Sequence, residues 1–143
     1  ATHPASLHKF YNEDSHFLHS DATHSGVSAS GPEGISRAIQ QLNLLGANVD
    51  LSNGYIDAQN AANQGIVLVV VGQFTPPTGS SGAALSSSSP PTASPFVQSF
   101  VLSCQPTNNH KASPAYYVSN SVFRLISMFP GTDAAGVAAA TAA

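Results

Sequence analysis

The stretch Ile66-Val67-Leu68-Val69-Val70-Val71-Gly72-Gln73-Phe74 decides the fold. It is β-branched or apolar at almost every position, too continuous for a strand with one face in water. It reads as a central strand. Two further long strands follow, 96–104 beginning Phe96-Val97-Gln98-Ser99-Phe100 and 116–128 beginning Tyr116-Tyr117-Val118. Both carry apolar residues on both faces. One face can cover helices, and the other then needs a second partner.

Upstream, one helix stands out. Ser30 and Glu33 have capping-box spacing, and Pro32 sits where a missing N–H costs little. Ile35, Ala38, Ile39, Leu42 and Leu45 then recur at helical spacing, with Gly46 as the expected stop. Before it, Leu7, Phe10 and Tyr11 suggest a short helical turn, 15–19 a strand and 22–30 a polar loop. After it, Asn53-Gly54 reads as a turn between strands 49–51 and 55–58.

Residues 75–95, rich in Ser, Pro, Gly and Ala, hold no charge and almost no bulky side chain, so they cannot repay their ordering entropy. A mobile hairpin loop is expected there. Residues 130–143, mostly Ala, read as a flexible tail or the start of a linker. One domain over 1–129 is therefore expected, with the loop 75–95 inside it. Clustered strands with few helices indicate α+β, with a strongly curved antiparallel sheet wrapped around helices.

Composition excludes several functions. Charged residues make up 8% of the chain, against a usual value of about 25%. Lys9, Arg37, Lys111 and Arg124 are the whole basic complement, so no dense phosphate-neutralising stripe can form and no direct nucleic-acid binding is expected. No apolar run approaches the roughly 18 residues of a membrane span. Cys104 is the single cysteine, which fits a reducing compartment. The chain opens Ala-Thr-His-Pro, with no signal-like segment; a fragment or a processed form is expected.

The C-terminal half resembles the nuclear transport factor 2 family. The resemblance rests on Val70-Val71-Gly72-Gln73, on Phe96-Val97-Gln98-Ser99-Phe100-Val101-Leu102, and on Tyr116-Tyr117-Val118-Ser119-Asn120-Ser121-Val122-Phe123-Arg124-Leu125. Leu7-His8-Lys9-Phe10-Tyr11, Gly31 with Ile35, and Tyr55-Ile56-Asp57-Ala58 look most like the Rasputin-type stress-granule proteins, which bind the SH3 domain of a Ras GTPase-activating protein. The family opens with a longer helix, and this chain starts near where that helix would end. The transport factor itself holds Ran through acidic residues around its hairpins. The stretch 75–95 has none, which favours the Rasputin-type reading.

The resemblance implies a cone-shaped, non-enzymatic domain of a cytoplasmic RNA-granule scaffold. It would form a homodimer and dock short Phe-Gly peptides without a cofactor. A nuclear-transport adaptor binding nucleoporin Phe-Gly repeats is the alternative, and an isomerase or dehydratase of the same fold a distant one. Leu7, Lys9, Phe10 and Tyr116 match groove positions; taken alone, Phe10 and Tyr116 read as core residues. Phe96, Gln98, Phe100, Val118, Asn120 and Phe123 match the dimer face. His16, His19 and His24 have no recognised zinc spacing. His16 and His19 would face opposite sides of a strand, so surface histidines are expected rather than a metal site. Asp57 and His16 are the candidate bases for catalysis, each without a convincing polar partner.

Overall fold

The computed structural model describes residues 3–21, 25–78, 90–106, 108 and 113–126. A 3₁₀ helix, Pro4–Phe10, leads into β1 (Tyr11–Ser20), β2 (Gly26–Ser30) and the helix α1 (Gly31–Leu42). Four more strands follow: β3 (Asn48–Asn60), β4 (Ile66–Thr75), β5 (Ser94–Gln105) and β6 (Ala115–Leu125), with a short 3₁₀ turn, Ala62–Gln64, between β3 and β4. The six strands form one sheet in the order β2-β1-β6-β5-β4-β3. The fold is α+β, as the element order predicts.

The sheet is mixed rather than wholly antiparallel. β1 runs parallel to β6, with His16 opposite Asn120 and His19 opposite Phe123. The other four neighbouring pairs are antiparallel. The chain can join β1 to β6 this way because β2, α1 and the β3–β5 meander intervene, and parallel neighbours need a long crossover. A register shift between Tyr11 and His16 is bridged by Ser15. Its buried hydroxyl donates to the Val118 carbonyl at 2.6 Å and accepts from the Asn12 N–H at 2.7 Å.

Four local expectations change. The stretch 22–30 is not all loop: 26–30 is β2, paired with β1. Its Gly-Val-Ser-Ala-Ser sequence alternates only small side chains, so its strand period is nearly silent, yet Val27 and Ala29 pack on the core. Residues 22–24 lie outside the described residues. The helix has Ser30 at its N-cap without the predicted side-chain cap, and it ends at Asn43 in the left-handed region (φ 45°), not at Gly46. Asn53-Gly54 is not a hairpin turn. β3 runs straight through it, with a bulge between Asp50 and Tyr55. A Cβ on Gly54 would collide with the Val71 carbonyl oxygen, so the glycine lets β3 close on β4. Tyr11 belongs to β1 rather than to the turn before it. The predicted mobility of 75–95 and of the tail 130–143 concerns mostly residues outside those described.

The core has two parts. Phe17 packs with Ile35, Ala38 and Ile39 of α1. Ala47 packs with Phe74, Phe96 and Phe123, one from each of β4, β5 and β6. Phe96 stacks on Phe123 with centroids 5.1 Å apart, and Phe74 meets the same ring edge-on at 5.4 Å. The helix closes one end of the curved sheet and leaves the concave face open between the two clusters.

Candidate functional site

The concave face encloses a cavity of about 360 Å³. Its walls come from Phe17 and His19 of β1, Phe74 of β4, Phe100 of β5 and Phe123 of β6, with Ile39, Leu44 and Ala47 at the helix end. Leu7 and Phe10 of the first 3₁₀ helix stand at its rim. Phe10 is 62% exposed, a large apolar ring left in water beside an apolar hollow.

Strand alternation sends each residue to one face. Gln98, Phe123 and His19 stand opposite one another on β5, β6 and β1 and all line the cavity. The imidazole of His19 stacks flat on Phe123, centroids 4.3 Å apart and planes 2° apart, and meets Phe74 edge-on. Burial pushes the His19 pKa below its ordinary value, and the nearby Asp21 carboxylate opposes that shift in part. Beneath, Tyr11 shares a hydrogen bond with Ser121, and Gln98 Nε2 donates to Ser121 Oγ at 3.2 Å. Burial raises the Tyr11 pKa, with the Ser121 hydrogen bond working against it.

The expected groove residues separate. Leu7 and Phe10 line the cavity rim, whereas Lys9 is exposed and Tyr116, also exposed, sits on β6 opposite Cys104; neither lines the cavity. The expected dimer residues are corrected by the same alternation. Phe96 is 1% and Phe123 5% exposed, both in this chain's own core. Gln98, Phe100 and Val118 line the cavity. Of that set only Asn120 lies on the outer face, exposed and opposite His16 and Val101. The outward positions of β4, β5 and β6 also include Val67, Val69, Val71, Gln73, Val97, Ser99, Val101, Val122 and Arg124.

His16 and His19 do face opposite sides. His16 joins a shallow outer concavity with Leu18, Ser28 and Asn120, while His19 is a cavity residue and not a surface one. His24 lies outside the described residues. Among the described residues no three His, Cys, Asp or Glu side chains come together as a metal site would need. Asp57 is exposed on β3 beside Val69, so neither candidate base reaches the cone. Residue-type patterns missed His19. Its signal was parity: it stands two residues from Phe17, on the same face of β1.

The model of the nuclear transport factor 2 (NTF2) domain matches residues 1–125. No curated protein matches the chain in sequence. Among solved structures, the yeast Ubp3-associated protein Bre5 is similar at 22% identity and a TM-score of 0.63, over 87% of this chain and 83% of that one. Nuclear transport factor 2 from Cryptosporidium parvum is similar at 19% identity and a TM-score of 0.59, over 87% and 81%. ActVI-ORFA from Streptomyces coelicolor is similar at 12% identity and 0.56, over 85% and 82%. At these identities the likeness is one of fold.

Proposed function

The chain belongs to the nuclear transport factor 2 (NTF2) domain family, and from that premise we propose that it is a non-enzymatic dimerisation and peptide-docking domain. One observation carries this reading. Val67, Val69, Val71, Val97, Val101 and Val122 fall on the outer face of three adjacent strands, and none of them is buried in the single chain. A face this rich in valine, with Ser99 at its middle and Asn120 and Arg124 on its β6 side, is costly to leave in water and suits a second sheet packed upon it. The apolar cavity supplies the docking half. A ligand Phe placed against Leu7 and Phe10 would gain about 1.5–3 kcal/mol from burial, and ring pairing with Phe10 would add roughly 0.5–1.5 kcal/mol. A following Gly lets the ligand backbone turn close to the rim.

Catalysis is the weaker reading. Asp57 and His16 lie outside the cone, and among the described residues the cavity lining holds no carboxylate, the Asp21 that acts on His19 standing outside it. The low count of cations argues against RNA contact through this chain, so a granule scaffold would bind RNA elsewhere. We place the domain in a cytoplasmic scaffold of the Rasputin type.

Fluorescence anisotropy with Phe-Gly-Asp-Phe and Phe-x-Phe-Gly peptides tests the docking. Micromolar binding, about -7 to -8 kcal/mol, is expected, with Phe10→Ala abolishing it. Lys9→Glu should weaken the acidic peptide more than the apolar one. Preference for the apolar peptide would favour a nuclear-transport adaptor instead. Absence of binding by both at hundreds of micromolar rejects peptide docking.

A further inference from the structure

The cone contains polar groups that a plain apolar pocket does not need. Gln98 and His19 flank Phe123 from the strands on either side of it. Strands in a sheet lie about 4.8 Å apart, so a carboxamide and an imidazole border the same ring from opposite sides. Gln98 spends one N–H on Ser121. Its Oε1 makes no hydrogen bond among the described residues. No buried side-chain oxygen or nitrogen of the described residues lacks a partner, so that oxygen is open to the cavity. The ring of His19 makes aromatic contacts to Phe123 and Phe74 and no hydrogen bond among the described residues. Among the described residues the lining includes no Lys, Arg, Asp or Glu.

We propose that the cone is a binding site for a small neutral aromatic ring bearing a hydroxyl, the ring resting against Phe17, Phe74 and Phe123 and the hydroxyl donating to the open oxygen of Gln98. A cavity of about 360 Å³ is of the size that takes one such molecule. A hydroxyl donates as well as accepts, so it can donate to the open Gln98 oxygen. A bare ring would strip water from that oxygen and return nothing. A carboxylate would find no cation in the lining and would face the charge of Asp21 near His19; an ammonium would find no anion. The hydroxyl can come from a free phenol or from a tyrosine side chain of a partner. This inference goes beyond the rim-docking reading, because it concerns the floor of the cone and not Leu7 or Phe10.

The test is ligand-observed NMR titration of the full chain with p-cresol, toluene and 4-methylbenzoate, and with N-acetyl-tyrosinamide. Binding of p-cresol about tenfold tighter than toluene is expected, the value of one net hydrogen bond, with 4-methylbenzoate weaker than both. Gln98→Leu should bring p-cresol to within about threefold of toluene while toluene still binds. N-acetyl-tyrosinamide binding as well as p-cresol identifies a tyrosine source; its exclusion identifies a free phenol. Equal affinity for p-cresol and toluene, tighter binding of 4-methylbenzoate, or no p-cresol binding at millimolar concentration overturns the proposal. These wild-type comparisons decide even if Gln98→Leu fails to fold. A chain that docks Phe-Gly peptides but ignores p-cresol overturns this inference alone. The converse result overturns only the peptide reading.

Discussion

Phe123→Ala and Val122→Ala, one position apart on β6, should differ sharply in stability. Phe123 is 5% exposed and is the ring on which Phe96, Phe74 and His19 converge. Truncating it forfeits its transfer free energy, about 1.5–3 kcal/mol, and adds a void the surrounding rings cannot fill. Together these bring the cost to about 3–5 kcal/mol. Val122 is 42% exposed in the single chain and points away from those rings. Its truncation should cost well under 1 kcal/mol of the chain's own folding. With a urea slope of about 2 kcal/mol per molar, Phe123→Ala should lower the unfolding midpoint by roughly 2 M and Val122→Ala by under 0.5 M. The measurement is urea unfolding followed by far-UV circular dichroism at one fixed, low protein concentration, because association would stabilise the folded chain. Midpoint shifts of equal size, or a larger one for Val122→Ala, would refute the assignment of the two faces of β6.

Gly54→Ala should destabilise the domain by more than the roughly 1 kcal/mol of an ordinary strand substitution, because its Cβ meets the Val71 carbonyl; thermal unfolding against a Gly34→Ala control, where the added Cβ meets only ordinary contact, checks this. Stability should also fall in mild acid. His19 is held below its ordinary pKa by burial, so the unfolded chain binds the proton more readily. The stabilisation is then complete above the unfolded pKa of about 6.5 and is lost progressively as pH falls toward the folded value. Urea midpoints taken between pH 7.5 and 5 should decline in the native chain and decline less in His19→Phe.

Much of this architecture is legible in the chain itself. The runs around 66–74, 96–104 and 116–128 announce β4, β5 and β6 because they are short, rich in β-branched and aromatic residues, and bounded by Gly, Pro, Asn or Ser. The Ile35, Ala38, Ile39 stripe announces α1 in the same way. What stays hidden depends on partners distant in sequence. Gly26 to Ser30 has side chains too small to show a period, and it becomes a strand because β1 offers it hydrogen bonds. Asn53-Gly54 has the chemistry of a turn, but β4 pairs with β3 on both sides of it and turns it into a bulge. The site suffers most from this dependence. Phe96, Phe100 and Phe123 look like interface residues when strands are apolar on both faces, and only the cross-strand register shows that they face inward while Val97, Val101 and Val122 face outward. Lys9 and Tyr116, drawn from the resemblance, do not line the cone, while His19 does.

Light scattering of the unmodified chain at micromolar concentration, alongside a Val69→Glu/Val97→Glu variant, tests the central claim most directly. A dimer through the valine face gives a mass of twice 14.6 kDa for the unmodified chain and a folded 14.6 kDa species, or an aggregate, for the variant. A monodisperse 14.6 kDa monomer of the unmodified chain, or a variant that keeps the doubled mass, would contradict it.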